Sequence, residues 1–109
     1  MNFEEQAMRL IVSAGNAKSA AMNAIAQAKQ GNWDGVRAAL AESEAAMTAA
    51  HKEQTDILQR SLDEPDKGMG MLMVHAQDHL MTAITVIDLA REFCMLYEII
   101  GKQGDVKCE

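Results

Sequence analysis

The sequence predicts an all-α fold, an antiparallel up-down-up bundle of three helices, and three observations carry that expectation. Apolar residues recur at three- and four-residue spacing through three long segments. Two breaks rich in Gly, Asn and Pro separate those segments. Hydrophobic residues make up 49% of the chain but aromatics only 4%, with nine Met, a palette that suits closely packed helices.

Helix one is expected over residues 3–29, where Phe3, Ala7, Leu10, Ala14, Ala17, Ala21, Ile25 and Ala28 follow one helical face. Gly31 and Asn32 supply its C-terminal stop, and the short Gln30-Gly31-Asn32 stretch forces an antiparallel return. Helix two, expected over 33–60, places Trp33, Val36, Leu40, Ser43, Met47, Ala50, Gln54 and Ile57 on one face, with charges on the others. Residues 61–70, SLDEPDKGMG, hold the only proline and two glycines and read as a loop. Helix three is expected over 69–101, close to 50 Å at about 1.5 Å per residue, ending at Gly101. The polar tail QGDVKCE is expected to fray.

Helix three differs from the other two because it is apolar on two lines. Leu72, Ala76, Leu80, Ala83, Ile87, Ala90, Cys94 and Tyr97 form one, and Met71, Val74 and Met81 another. One hairpin cannot cover both, so the second line is expected to meet other subunits. At 109 residues the chain has the size of one domain, and so small a bundle commonly gains stability by association.

Charge and cysteine usage narrow the function class. A formal net charge of -6 repels nucleic-acid phosphates and anionic membrane surfaces, so nucleic acid is not an expected partner. Cys94 and Cys108 have no CxxC spacing, and Cys94 falls in an apolar helical register, which fits a reduced compartment. The acidic MNFEEQAMRL start and the absence of a bilayer-length apolar run lead to a cytoplasmic expectation.

The chemistry is concentrated in Met73-Val74-His75-Ala76-Gln77-Asp78-His79-Leu80-Met81-Thr82. His75, His79, Thr82, Val86, Leu89 and Phe93 share one stripe, with Asp78 on the neighbouring line beside Met71, Val74, Met81 and Thr85. An imidazole with an ordinary pKa of about 6.5 is largely neutral in the cytosol and offers a ring lone pair that can attack phosphorus. Phosphoryl transfer needs chiefly positioning and donors around the phosphoryl oxygens. His75 can therefore be a nucleophile, with His79 and Gln77 as helpers.

Three other readings stand beside this one. The polar residues can be a hydrogen-bonded core. HxxxH can bind zinc from one helix face, although the metalloprotease pattern needs Glu where Ala76 stands. Both histidines can also be exposed and idle. Asp78 raises its own question: three copies converging at a threefold axis, about 5 Å apart, would repel by roughly 3 kcal/mol per pair at an effective dielectric near 20. A divalent cation would relieve that repulsion, and oxygen-only ligands favour Mg²⁺. A protonated or solvated Asp78 is the alternative. His51, among charged neighbours, reads as a partly exposed structural histidine, and Trp33 as a cap on the bundle.

In this segment the chain resembles the IIA family of lactose/cellobiose/chitobiose phosphotransferase systems, whose third helix carries His-Gly-Gln-Asp-His-Leu-Met-Thr. Residues 75–82 here read HAQDHLMT, with Ala76 where Gly is typical. The likeness continues in Ala14-Gly15-Asn16-Ala17-Lys18-Ser19, in the Gly31-Asn32-Trp33 turn and in Ala50-His51 with Gln54-Thr55. The resemblance implies a three-helix subunit assembled as a homotrimer. It implies that His75 is phosphorylated by the histidine-containing phosphocarrier HPr and discharged to a cysteine of a IIB component, serving uptake of a β-linked disaccharide through a membrane IIC component. It places Gln77 and His79 near the phosphorylation site and Asp78 at the trimer axis as ligand to a divalent metal, Mg²⁺ by the donor argument. Ala76 adds a methyl and favours the helix by up to about 1 kcal/mol, which raises the question of whether it narrows a partner's approach. The rival class is a non-catalytic helical interaction protein whose HAQDH segment fixes assembly register. Exposure of His75 discriminates the two.

Overall fold

The computed structural model describes residues 2–65 and 70–103. They form three helices, α1 (Phe3–Lys29), α2 (Trp33–Asp63) and α3 (Met71–Lys102), in a rod of 58 × 18 × 18 Å. None of them is long and apolar enough to cross a membrane among the described residues.

The helix ends follow local chemistry. Asn2 caps α1 by accepting the Glu5 amide at 2.8 Å. At the other end Gly31 takes φ +72, the Gly31 amide donates to the Ala28 carbonyl at 3.0 Å, and the Asn32 amide donates to the Gln27 carbonyl at 3.0 Å. These two bonds make a Schellman motif, which requires a left-handed residue at that position and so favours glycine. Asn32 then caps α2, accepting the Gly35 amide at 3.1 Å while its side-chain amide donates to Gln27 at 2.8 Å.

Two expected boundaries shift. Residues 61–63 belong to α2 rather than to the loop: Ser61 Oγ donates to the Ile57 carbonyl at 2.8 Å, and the Glu64 amide closes the last turn on Arg60 at 2.9 Å. Gly101 does not end α3, which runs one residue further because the Gln103 amide bonds back to Ile99 and Ile100. The expected start of helix three at Met69 lies outside the described residues, as do the rest of the 61–70 loop at 66–69 and the tail after Gln103.

α1 is the central helix. Its backbone lies close along its length to both α2 and α3, which meet each other through longer side chains such as Ile57 with Leu80 and Gln54 with Gln77. The reason for the close approach is the alanine content of α1: Ala7, Ala14, Ala17, Ala20, Ala21, Ala24 and Ala28 are all buried, and methyl-sized side chains let two neighbours approach one helix closely. Gln6, Ala20 and Ala24 join the buried arc beyond the single face expected. Ser43 is 1% exposed and donates to the Ala17 carbonyl at 2.8 Å, tying α2 to α1. Arg60 near the end of α2 reaches back to α1, donating to Gln6 and lying 4.2 Å over the Phe3 ring.

The first apolar line of α3 is buried as expected, with Ala76, Leu80, Ala83 and Ala90 at 0% exposure. The second line is not covered within the subunit. Met71 is 82% exposed, and Val74, Met81, Leu96 and Ile99 are each about half exposed. α3 therefore presents a largely apolar face, interrupted by Asp78, Thr85 and Glu92, on the side away from its buried line.

Candidate phosphoryl site

His75 and His79 lie one turn apart on the flank of α3, between its buried line and its uncovered apolar face. His75 is exposed and His79 half-buried. Their Nε2 atoms stand 3.1 Å apart, with ring centroids at 4.5 Å and planes at 89°. At that separation one nitrogen carries the proton and donates while the other accepts with its lone pair. The pair thus holds one lone pair and one N–H at the same solvent-facing place.

The other predicted residues separate from this pair. Gln77 is two positions from His75, and residues at that spacing point to opposite sides of a helix. It turns toward α2 and accepts a hydrogen bond from Gln54 Nε2 at 3.0 Å. Within one subunit Gln77 therefore lies on the other side of α3 from His75. The 3.6-residue period alone carried that signal. Gln54, absent from the predicted site residues, braces α3 against α2 at this level.

Asp78 is exposed on the uncovered face, on the line of Val74 and Met81. Among the described residues of one subunit no three His, Cys, Asp or Glu side chains cluster to hold an ion. Ala76 is fully buried, its methyl packed in the core with Leu10, Ile57 and Leu80. The extra methyl relative to glycine thus points into the bundle and does not obstruct approach to His75.

His51 is exposed and lies apart from the pair. It lines a groove of about 200 Å³ between α2 and α3 with Met47, Ile84, Asp88 and Arg91. Trp33 is half-buried and closes the far end of the core with Leu40 and Tyr97.

Residues 5–98 match the family model described as the lactose/cellobiose-specific IIA subunit of the phosphotransferase system. The chain is 42% identical over 101 residues to the lichenan-specific phosphotransferase enzyme IIA component of Bacillus subtilis, covering 93% of this chain and 92% of that protein. It is 47% identical over 96 residues to the cellobiose-specific EIIA component of Lactococcus lactis, covering 88% and 78%. Among solved structures it resembles the cellobiose-specific enzyme IIA of Bacillus anthracis, with a TM-score of 0.89, 38% identity and 95% of each chain covered. It also resembles the chitobiose IIA of Escherichia coli solved in complex with HPr, with a TM-score of 0.81, 35% identity, and coverage of 93% of this chain and 98% of that one. The chain belongs to the lactose/cellobiose-specific IIA family and is a phosphocarrier component of a sugar phosphotransferase system.

Proposed function

We propose that His75 accepts a phosphoryl group from phosphorylated HPr and passes it to a cysteine of a IIB component, for uptake of a β-linked disaccharide through a membrane IIC component. The observation that carries this reading is the exposed His75 ring with His79 Nε2 at 3.1 Å. The solved complex of a chitobiose IIA with HPr supports HPr as the donor.

In the first step the unprotonated Nε2 of His75 attacks phosphorus. A new N–P bond forms as the donor's N–P bond breaks, and that bonding pair returns to the donor imidazole. His79 Nε2–H, which can point at the same place, donates to a phosphoryl oxygen and leaves the His75 lone pair to the phosphorus. In the second step a IIB thiolate attacks phosphorus, the N–P bond breaks, and its electrons return to Nε2. Gln77, held by Gln54 at 3.0 Å, acts at a distance by fixing the seat of α3 against α2.

The uncovered face of α3 supports assembly as a homotrimer around that helix. Met71, Val74, Asp78, Met81 and Thr85 recur at alternating steps of three and four, the spacing of a coiled-coil seam. Assembly would bring Asp78 carboxylates together at the axis, and this oxygen-only donor set fits Mg²⁺. The ion would neutralise their repulsion and take no part in the transfer.

Incubation with phosphorylated HPr tests the reading: wild type should gain acid-labile label and His75→Ala should gain none. Equal labelling of the two proteins would sink it.

A further inference from the structure

The same two nitrogens suit a second ligand. We propose that His75 and His79 form a two-imidazole site for one Zn²⁺-type transition-metal ion per subunit, and that a metal there excludes the phosphoryl group from His75. The exclusion rests on the phosphoryl-acceptor role of His75; the metal site does not.

The geometry carries the site. Two Nε2 lone pairs cannot face each other at 3.1 Å without something between them, and either a proton or a cation serves. Zinc–nitrogen bonds of about 2.05 Å at a tetrahedral angle place their two nitrogens about 3.3 Å apart, within a few tenths of an ångström of the observed spacing. Perpendicular rings, here at 89°, can still aim their in-plane lone pairs at a common point after a turn about the Cβ–Cγ bonds. The exposure of His75 and the partial exposure of His79 leave room for that turn. The shared Nε2 proton moves to Nδ1 through solvent, so both imidazoles remain neutral and bind through Nε2. Because both ligands sit one turn apart on a continuous helix, little backbone conformational entropy is lost on binding.

Ligand type sets the metal class. Imidazole suits zinc, copper and nickel, whereas magnesium takes oxygen. Asp78 lies on the adjoining face of α3, so its oxygen chemistry is separate from this pair. With no third ligand among the described residues, water fills the remaining positions. The ion is held more weakly than in a four-ligand structural site, and it can be removed by chelation. Ala76 stands where a zinc hydrolase would carry its glutamate base, so the site binds without hydrolysing. A metal on Nε2 occupies the lone pair that would attack phosphorus, which makes the two ligands mutually exclusive.

Calorimetric titration of the full chain with Zn²⁺, in excess Mg²⁺ to saturate any shared oxygen site, tests the proposal. The expected result is one Zn²⁺ per chain, as opposed to one per three chains. Binding should weaken at least tenfold in both His75→Ala and His79→Ala, with circular dichroism showing that each variant keeps its helices. Folded variants that bind Zn²⁺ as wild type does would overturn the site. Protein first phosphorylated on His75 should lose the Zn²⁺ signal, and unchanged binding after phosphorylation would overturn the exclusion. Zn²⁺ binding that depends on both histidines, in a chain that takes no label from phosphorylated HPr in chelator, would uphold the metal site and overturn the acceptor role of His75.

Discussion

Leu80 and Met81 are neighbours in sequence whose side chains leave α3 about 100° apart, Leu80 into the core and Met81 toward the uncovered face, and replacing each by alanine separates folding from assembly. Leu80 is 0% exposed and packs with Leu10, Ile57 and Ala76. Truncating so fully buried a leucine removes its transfer energy and leaves a cavity among helices that cannot collapse freely, a loss of about 3 kcal/mol. Met81 is 59% exposed in the subunit. Full burial of a methionine is worth about 1.5–3 kcal/mol, so the part covered here contributes roughly 1 kcal/mol or less. Any larger contribution from Met81 has to come from contact between subunits. Urea denaturation followed by helical circular dichroism, at two protein concentrations about a hundredfold apart, reads both terms. Leu80→Ala should lower stability by about 3 kcal/mol per subunit at either concentration. Met81→Ala should weaken chiefly the concentration-dependent part and shift the oligomer toward smaller species in sedimentation. A loss below about 1 kcal/mol for Leu80→Ala, or an equal and concentration-independent loss for Met81→Ala, would refute the reasoning.

Three further outcomes are expected. Gly31→Ala places a Cβ on a residue at φ +72 and should cost about 1–2 kcal/mol, with Gly31→Asn costing less; denaturant midpoints of the two variants check the order. Burial pushes the Cys94 thiol above its ordinary pKa. The native fold therefore retains the proton, a stabilising preference complete below the unfolded-state pKa and lost as pH rises through the folded value. In a Cys108→Ser background, Cys94 should alkylate slowly near pH 8 in the native protein and rapidly in denaturant, and equal rates would contradict its burial. Asp78→Leu should make assembly independent of divalent cations, so chelator should shift the oligomer of wild type only; an unchanged chelator response in the variant would count against a shared metal at that residue.

The segment 75–82 shows how far sequence reasoning reached into the site. The stripe assignment put His75 and His79 together and Asp78 on the next line, and those placements follow from the helical period alone. The same period, applied to a spacing of two, would have turned Gln77 away from His75. The motif names it with the histidines, and within one subunit the fold pairs it with Gln54. The query over Ala76 had a similar origin: its methyl belongs to the buried line of α3, which the apolar pattern already marked.

Helix positions, the Gly31 turn and the two apolar lines of α3 were determined by the sequence itself, because periodicity and glycine conformation act within a few residues of chain. Only the tertiary structure decided that α1 lies in the middle, that Ser43 meets the Ala17 carbonyl and that Arg60 reaches Gln6 and Phe3. It also decided which line of α3 faces α1 and which stays open. Hydrophobic burial is non-directional: a stripe states that it must be covered but not by what. Close packing against the alanines of α1 selects one line, and the other remains beside the two histidines with Asp78 on it.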